Sequence, residues 1–184
     1  MANIGYQTRV TGVGRLLLAA GDKGLCLLEF DSTFGESNFG EYESLDRLER
    51  SGADLAEGGT AVDQAAREVD AYLQGRLETF SIPVDLSQAR PFARRVLRRL
   101  ISVSFGELTS YGELARAEAT GPRAVGGAVA SNPVAIVVPC HRVVAADGSL
   151  GDYSSGLDLK RALLAIEGHE GLTGGWGPRR RRSL

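Results

Sequence analysis

Apolar positions change their spacing several times along the chain, and each change predicts an element. Short apolar runs at Arg15–Ala20 and Gly24–Phe30 flank the polar triplet Gly21-Asp22-Lys23, which is the pattern of a β-hairpin. Ile4 to Val10 is read as a third strand of the same sheet. Asp31–Gly59 is rich in Gly, Ser and acids and predicts a variable surface region, with a short helix over Tyr42–Arg50. Helical spacing follows at Val62, Ala65, Ala66, Val69 and Leu73, with Thr60 as N-cap and Gly75 as the stop. Pro83 marks Ile82–Leu86 as an extended linker.

From Pro91 onward the pattern is different. Phe92, Ala93, Val96, Leu97, Leu100 and Ile101 share one side of a helix, and Arg94, Arg95, Arg98 and Arg99 share the other. The arginine face is either a solvated surface or a nucleic-acid contact, and spacing does not choose between them. A second helix begins after Thr109 or Ser110, either of which can cap it. Gly121-Pro122 turns the chain, and a third helix runs from Arg123 to Asn132. Two short helices joined by a glycine-bearing turn form a helix-turn-helix pattern. The last of them carries almost only Ala, Gly, Val and Ser after Arg123. Its Gly126 and Gly127 permit either tight packing within the protein or close approach to a DNA surface without a base code.

The run Ile136–Val144 reads as two short buried strands or one interrupted strand around Cys140. A free thiol is mostly protonated at neutral pH unless a neighbour takes or offsets the proton, and His141 and Arg142 are the nearest candidates. Adjacent strand residues face apart, so a Cys140–His141 partnership needs a turn or a bridging water. A lone Cys is more often an inert core thiol, and that alternative stands until other motifs are weighed.

Composition narrows the class. The 184 residues are 43% apolar, enough for a real core, with no apolar stretch long enough to span a bilayer and no leader pattern at Met1–Ile4; a cytoplasmic protein is expected. Cys26 lies in an apolar run and reads as a reduced core residue rather than a disulfide partner of Cys140. No further Cys or His stands at ligand spacing near Cys140, so no metal is expected. The net charge of −2 hides an asymmetry. Residues 1–89 hold 7 Lys/Arg against 15 Asp/Glu, and residues 90–184 hold 14 against 8, so only the second part is suited to meet a polyanion.

Taken in order, the motifs Ser110-Tyr111-Gly112-Glu113-Leu114-Ala115, Arg123-Ala124-Val125-Gly126-Gly127-Ala128, Asn132-Pro133, Pro139-Cys140-His141-Arg142-Val143, Gly148–Ser154, Gly156-Leu157, Lys160 and Leu163–Gly168 resemble the O6-alkylguanine-DNA alkyltransferases. The match is dense from about Pro91 to Gly168 and looser before it. The resemblance implies an α/β (α+β) protein in three parts. Residues 1–85 would form a ribonuclease H-like domain of three antiparallel strands and a helix, residues 86–168 a helical domain with the helix-turn-helix and an active-site loop, and residues 169–184 a basic tail carrying Arg179–Arg182.

It also implies a chemistry. Cys140 would take the alkyl group from O6-alkylguanine in double-stranded DNA and keep it as a thioether, once per molecule, with no cofactor and no metal. His141 would accept the thiol proton through a water, Glu167 would orient His141, and Asn132 would hold the turn against the Cys140 segment. Tyr111 would hydrogen-bond guanine N3, the Cys140 and Val143 carbonyls would accept from the exocyclic amine, and Ser154 N–H would meet O6, with Tyr153 beside it in the substrate pocket. The base must be flipped out. Arg123 would fill the gap or contact phosphate, and Ser110, Tyr111, Ala124, Gly126, Gly127, Ala128 and Ser131 would line the DNA surface in the minor groove. A monomer is expected, with cooperative binding on DNA left open, and no membrane partner.

The sequence departs from the family pattern at Val103–Gly106, in the short link from Ala115 to Arg123, and at Ser155, where glycine is frequent. Two rival readings remain: a non-enzymatic lesion-binding relative, which carries Trp at the nucleophile position, and a cysteine hydrolase, for which no oxyanion motif accompanies the Cys-His pair.

Overall fold

The structure is a computed structural model, and it describes residues 2–30 and 39–169, with the side chains of 39–42 excepted. Strands β1 (Ala2–Thr11), β2 (Gly14–Gly21) and β3 (Gly24–Phe30) form the expected antiparallel meander. Helix α1 (Phe39–Arg50) follows, then strand β4 (Ala53–Glu57), which pairs parallel with β1 and completes a sheet of order β3-β2-β1-β4. This fourth strand corrects the reading of 31–59 as a surface region throughout. Its sequence, Ala-Asp-Leu-Ala-Glu, alternates too weakly to announce a strand and is held by the ladder to β1.

Helix α2 (Thr60–Leu73) lies across the sheet and buries Val62, Ala65, Ala66, Val69 and Tyr72. Gly59, not Thr60, is its N-cap. Gly75, at φ +68, ends it in a Schellman arrangement, with Gly75 N–H on Tyr72 O at 2.9 Å and Arg76 N–H on Ala71 O at 2.9 Å. The segment 82–86 is extended as expected, but it is docked: Leu25 N–H donates to Pro83 O at 2.8 Å and Asp85 N–H to Leu25 O at 2.9 Å.

Helix α3 (Pro91–Ile101) buries Ala93, Val96, Leu97 and Leu100. Three arginines of its polar face, Arg94, Arg95 and Arg99, bond within this chain. Arg95 Nε meets Glu118 Oε2 at 3.0 Å, Arg99 binds the other oxygen of Glu118, and Arg94 Nη2 donates to Ser87 O and Ala89 O at 2.7 and 3.0 Å. Strand β5 (Thr109–Ser110) leads into α4 (Tyr111–Ala117), where Ser110 and Glu113 form a reciprocal capping box. A turn over residues 118–121 joins α4 to α5 (Pro122–Ala130).

The segment bearing the cysteine is not a strand. Ala135 N–H donates to Leu28 O at 2.8 Å and Leu28 N–H to Pro133 O at 2.8 Å, tying its start to the edge of β3. The backbone then coils. Val138 N–H reaches back to Val134 O at 3.0 Å, and Ile136 sits at φ +67, a left-handed position that a β-branched residue adopts only when its surroundings impose it. Complete burial of Ile136 provides that constraint. Cys140–Arg142 forms a single 3₁₀ turn, followed by β6 (Val143–Val144), which pairs parallel with β5, and later by α6 (Leu157–Ile166). One continuous core runs from Leu16 and Leu28 through Tyr72 and Leu97 to Val138 and Leu163, so the first half of the chain packs directly on the second.

Candidate active site

Four elements converge on Cys140. The 3₁₀ turn places its side chain at the floor of a cavity of about 620 Å³, walled by Tyr111 and Gly112 of α4, Pro122, Gly126, Val129 and Ala130 of α5, and Ala145, Ala146, Gly151, Asp152, Tyr153 and Ser154 of the loop after β6. The thiol is nearly buried, and Tyr153 Oη lies 3.9 Å from Sγ. Burial pushes the Cys140 thiol above its ordinary pKa, while hydrogen bonding with Asn132 and Tyr153 and the nearby Lys160 charge work the other way. Asn132 donates from Nδ2 to Val138 O at 2.9 Å and accepts Val134 N–H on Oδ1 at 3.0 Å, which ties the end of α5 to the coil leading to Cys140.

Behind the thiol lies a buried ion cluster. Glu167 Oε1 is 2.9 Å from His141 Nε2 and 2.8 Å from Arg142 Nη2, and Arg142 Nε lies 2.9 Å from Oε2, which also accepts Gly106 N–H at 3.2 Å. Burial alone would raise the Glu167 pKa, but the hydrogen bonds and charges of His141 and Arg142 outweigh it and bring it down to about 2. Glu167 is therefore a carboxylate that can only accept, so His141 must present Nε2–H to it, and the neutral ring keeps its lone pair on Nδ1. That Nδ1 has no hydrogen-bond partner among the described residues. Burial holds the His141 pKa below its ordinary value despite Glu167, which leaves the ring neutral and able to take a proton. Neither ring nitrogen bonds Cys140 directly, so the tight turn does not by itself solve the geometric difficulty seen in the sequence.

Some of these partners have no signal in sequence spacing. Arg142 serves Glu167, not the thiol. Tyr72, from α2 in the first half of the chain, donates to Glu167 Oε1 at 2.7 Å. Lys160 is fully buried, donating to Val143 O at 2.6 Å and to Leu150 O, with Nζ 5.9 Å from the Tyr153 ring centre. Desolvation lowers its pKa to about 8. The Val143 carbonyl, expected to meet substrate, thus already holds one donor and has one lone pair left. Tyr111 Oη donates to Asp152 O at 3.4 Å, a long bond across the pocket mouth.

Along α5, Arg123, Ala124 and Gly127 are exposed and Gly126 is half-buried. Ala128 faces inward with Val125 and Val129, which corrects its assignment to the DNA surface: it lies three residues from Val125, on the core stripe of the helix. Ser131 is exposed and bonds back to Ala128 O at 2.8 Å, and the Ser110 hydroxyl is engaged in the α4 cap. Ser154 is exposed at the pocket rim. Among the described residues no His/Cys/Asp/Glu cluster could hold a metal ion, and no helix is long and apolar enough to cross a membrane. The basic tail with Arg179–Arg182 lies outside the described residues.

A buried thiol facing a pocket, with a neutral imidazole held by a carboxylate behind it, is an arrangement suited to a class of proteins that use cysteine as a nucleophile. Comparison with known proteins makes this specific. The profile described as 6-O-methylguanine DNA methyltransferase, ribonuclease-like domain, matches residues 4–86, and the DNA binding domain of the same family matches residues 91–169. A methylated-DNA–protein-cysteine methyltransferase of Mycolicibacterium paratuberculosis is 41% identical over 167 residues, covering 89% of this chain and 92% of that protein. One from Methanosarcina barkeri is 36% identical, covering 88% and 96%. The crystal structure of the Mycobacterium tuberculosis O6-methylguanine methyltransferase superposes with a TM-score of 0.71 at 34% identity, covering 89% of this chain and 92% of that one. The chain belongs to the methylated-DNA–protein-cysteine methyltransferase family and is a transferase.

Proposed function

We propose that this protein repairs DNA directly, moving an alkyl group from O6 of guanine to Cys140 once per molecule. The observation that carries the reading is the position of the thiol: it forms the floor of a pocket of purine size whose wall is the small-residue helix α5, with the His141–Glu167 pair sealed behind it. In the reaction the Sγ–carbon bond forms as the carbon–O6 bond breaks, and the electron pair passes to the guanine. The thiol proton moves through a water to His141 Nδ1, and Tyr111, donating to N3, eases departure of the guanine anion. The guanine then takes up one proton, so that thiol and alkylguanine become thioether and guanine. A thioether is a poor leaving group, which ends the cycle after one turnover. Asn132 keeps the Cys140 coil in place, and Tyr153, Ser154 and the Val143 carbonyl hold the base.

A base inside a duplex cannot reach this depth, so it must be extruded. The two helices α4 and α5 serve as a helix-turn-helix that enters the minor groove, where the exposed Ala124 and Gly127 allow close approach without reading sequence. The protein acts as a monomer, without cofactor or metal, in the cytoplasm. Incubation with a duplex containing O6-methylguanine is expected to add one methyl mass to the peptide bearing Cys140; an unmodified peptide with the lesion intact would sink the reading. Arg123, exposed at the start of α5, fills the gap left by the base. Arg123→Ala is expected to slow transfer from duplex about tenfold while changing affinity for undamaged DNA less than about threefold. Equal losses in both assays would reduce Arg123 to a phosphate contact.

A further inference from the structure

Tyr72 belongs to α2, in the part of the chain to which the sequence assigned no chemistry, yet its hydroxyl completes the buried cluster behind Cys140. The side chain is fully buried, with its ring caged by Phe80 at 5.5 Å and, edge-on, by Phe105 at 6.1 Å between centres. The hydroxyl has no freedom to wander. It donates to Glu167 Oε1 at 2.7 Å and lies 3.3 Å from His141 Nε2. Because His141 Nε2 carries the proton that faces Glu167, and the Tyr72 proton is already on Glu167, the lone pairs of Tyr72 Oη are the part that faces the imidazole N–H. The N–H is therefore shared between a carboxylate oxygen and a hydroxyl oxygen.

We propose that Tyr72 is a positioning residue for alkyl transfer, its hydroxyl fixing the Glu167 carboxylate and providing a second acceptor for the His141 N–H when that ring takes the Cys140 proton. An N–H donor strengthens its bonds when the ring becomes cationic, so both acceptors favour the imidazolium and, through it, the thiolate. The other charged and titratable groups around His141 are Arg142 on its own turn, Lys160 on α6, Glu167 and the thiol itself. Arg142 and Lys160 oppose a further positive charge, which makes each acceptor on the ring count. The inference rests on the reading of Cys140 as the alkyl acceptor, and it makes the first half of the chain part of the reacting centre.

Tyr72→Phe keeps the caged ring and removes only the hydroxyl. The pH dependence of Cys140 modification by iodoacetamide, read by mass on the Cys140 peptide, is expected to move up by about half a unit, which is about threefold less modification at neutral pH. Single-turnover methyl transfer from O6-methylguanine duplex should fall by a similar factor, with DNA affinity unchanged. Leu17→Ala, in the separate core cluster with Ala19 and Leu27 and away from the Tyr72 ring, should lower the unfolding midpoint without moving the pH curve. Superimposable pH curves for Tyr72→Phe and the parent, or a downward shift, would overturn the proposal, as would a fall in unfolding midpoint as its only effect. If the parent protein transfers no methyl group but its iodoacetamide curve still shifts on substitution, the alkyl-acceptor reading fails while the role of Tyr72 in setting the thiol stands.

Discussion

Cys140→Ser is expected to bind O6-methylguanine duplex within about threefold of the parent affinity and to transfer no detectable methyl group, a loss of at least about a thousandfold. Binding should survive because the exposed surface of α5 lies around the pocket mouth, whereas the thiol sits at its floor. Transfer should not, because a serine hydroxyl is far less acidic than a thiol and a far weaker nucleophile, and the neutral His141 that can take a thiol proton cannot ionise an alcohol to any useful extent. The substitution also isolates the site. The other thiol, Cys26, is buried in β3, bonds Ala19 O at 3.3 Å, and is pushed by burial to a pKa of about 11, so it does not substitute. A gel-shift titration alongside mass analysis of all cysteine peptides checks both halves. Methyl mass on any other residue of the variant, or loss of DNA binding together with transfer, would show that Cys140 is not the acceptor or that the variant has misfolded; near-parent unfolding by circular dichroism separates the two.

What the sequence revealed and what it withheld divide along the range of the interactions involved. The hairpin, α2, α3 and the α4 cap rest on contacts within a few residues, so apolar spacing, Gly75 and the capping residues Thr109 and Ser110 were enough to find them. Strand β4 was missed because Ala53–Glu57 has little pattern of its own and is made a strand by β1, some fifty residues earlier. The segment before Cys140 was misread for a related reason. Its β-branched run has strand propensity, but packing in the core and the bonds to Leu28 bend it through a left-handed Ile136, and tertiary context prevailed over propensity. In the site, Cys140, His141, Asn132 and Glu167 were legible through the ordered motifs. Tyr72 was not, since a tyrosine three residues after Val69 on a buried helix face reads as core, and its acceptor lies 95 residues away. Lys160 was visible as a motif residue, but only the fold shows that it is buried on two carbonyls of the active-site loop.

Glu167→Gln should be the most damaging substitution that leaves the thiol in place. The parent carboxylate accepts from His141, Tyr72, Arg142 and the Gly106 amide with almost no exposure. A carboxamide keeps the shape but turns two of its hydrogens on groups that are themselves donors, and it leaves the Arg142 guanidinium buried without a counter-charge. Stability should fall by about 3 kcal/mol at neutral pH. The pH dependence gives an independent check with a definite sign. The Glu167 pKa is lowered on folding, from an ordinary 4.5 to about 2, so its contribution is fully present above pH 4.5 and is lost as pH falls from there toward 2. In that window the parent should lose up to about 1.4 kcal/mol per pH unit more than the variant, measured by urea unfolding at each pH. The chemistry should suffer further. The amide can offer N–H to His141 Nε2, which forces the proton onto Nδ1, and a protonated Nδ1 cannot accept from Cys140. Methyl transfer is then expected to drop by on the order of 10² to 10⁴-fold at a temperature where the variant remains folded, as for other imidazole bases held in the wrong tautomer. Parallel stability curves across pH 2 to 5 would show that Glu167 is not held as a carboxylate, and transfer within tenfold of the parent would show that the orientation of His141 does not depend on it.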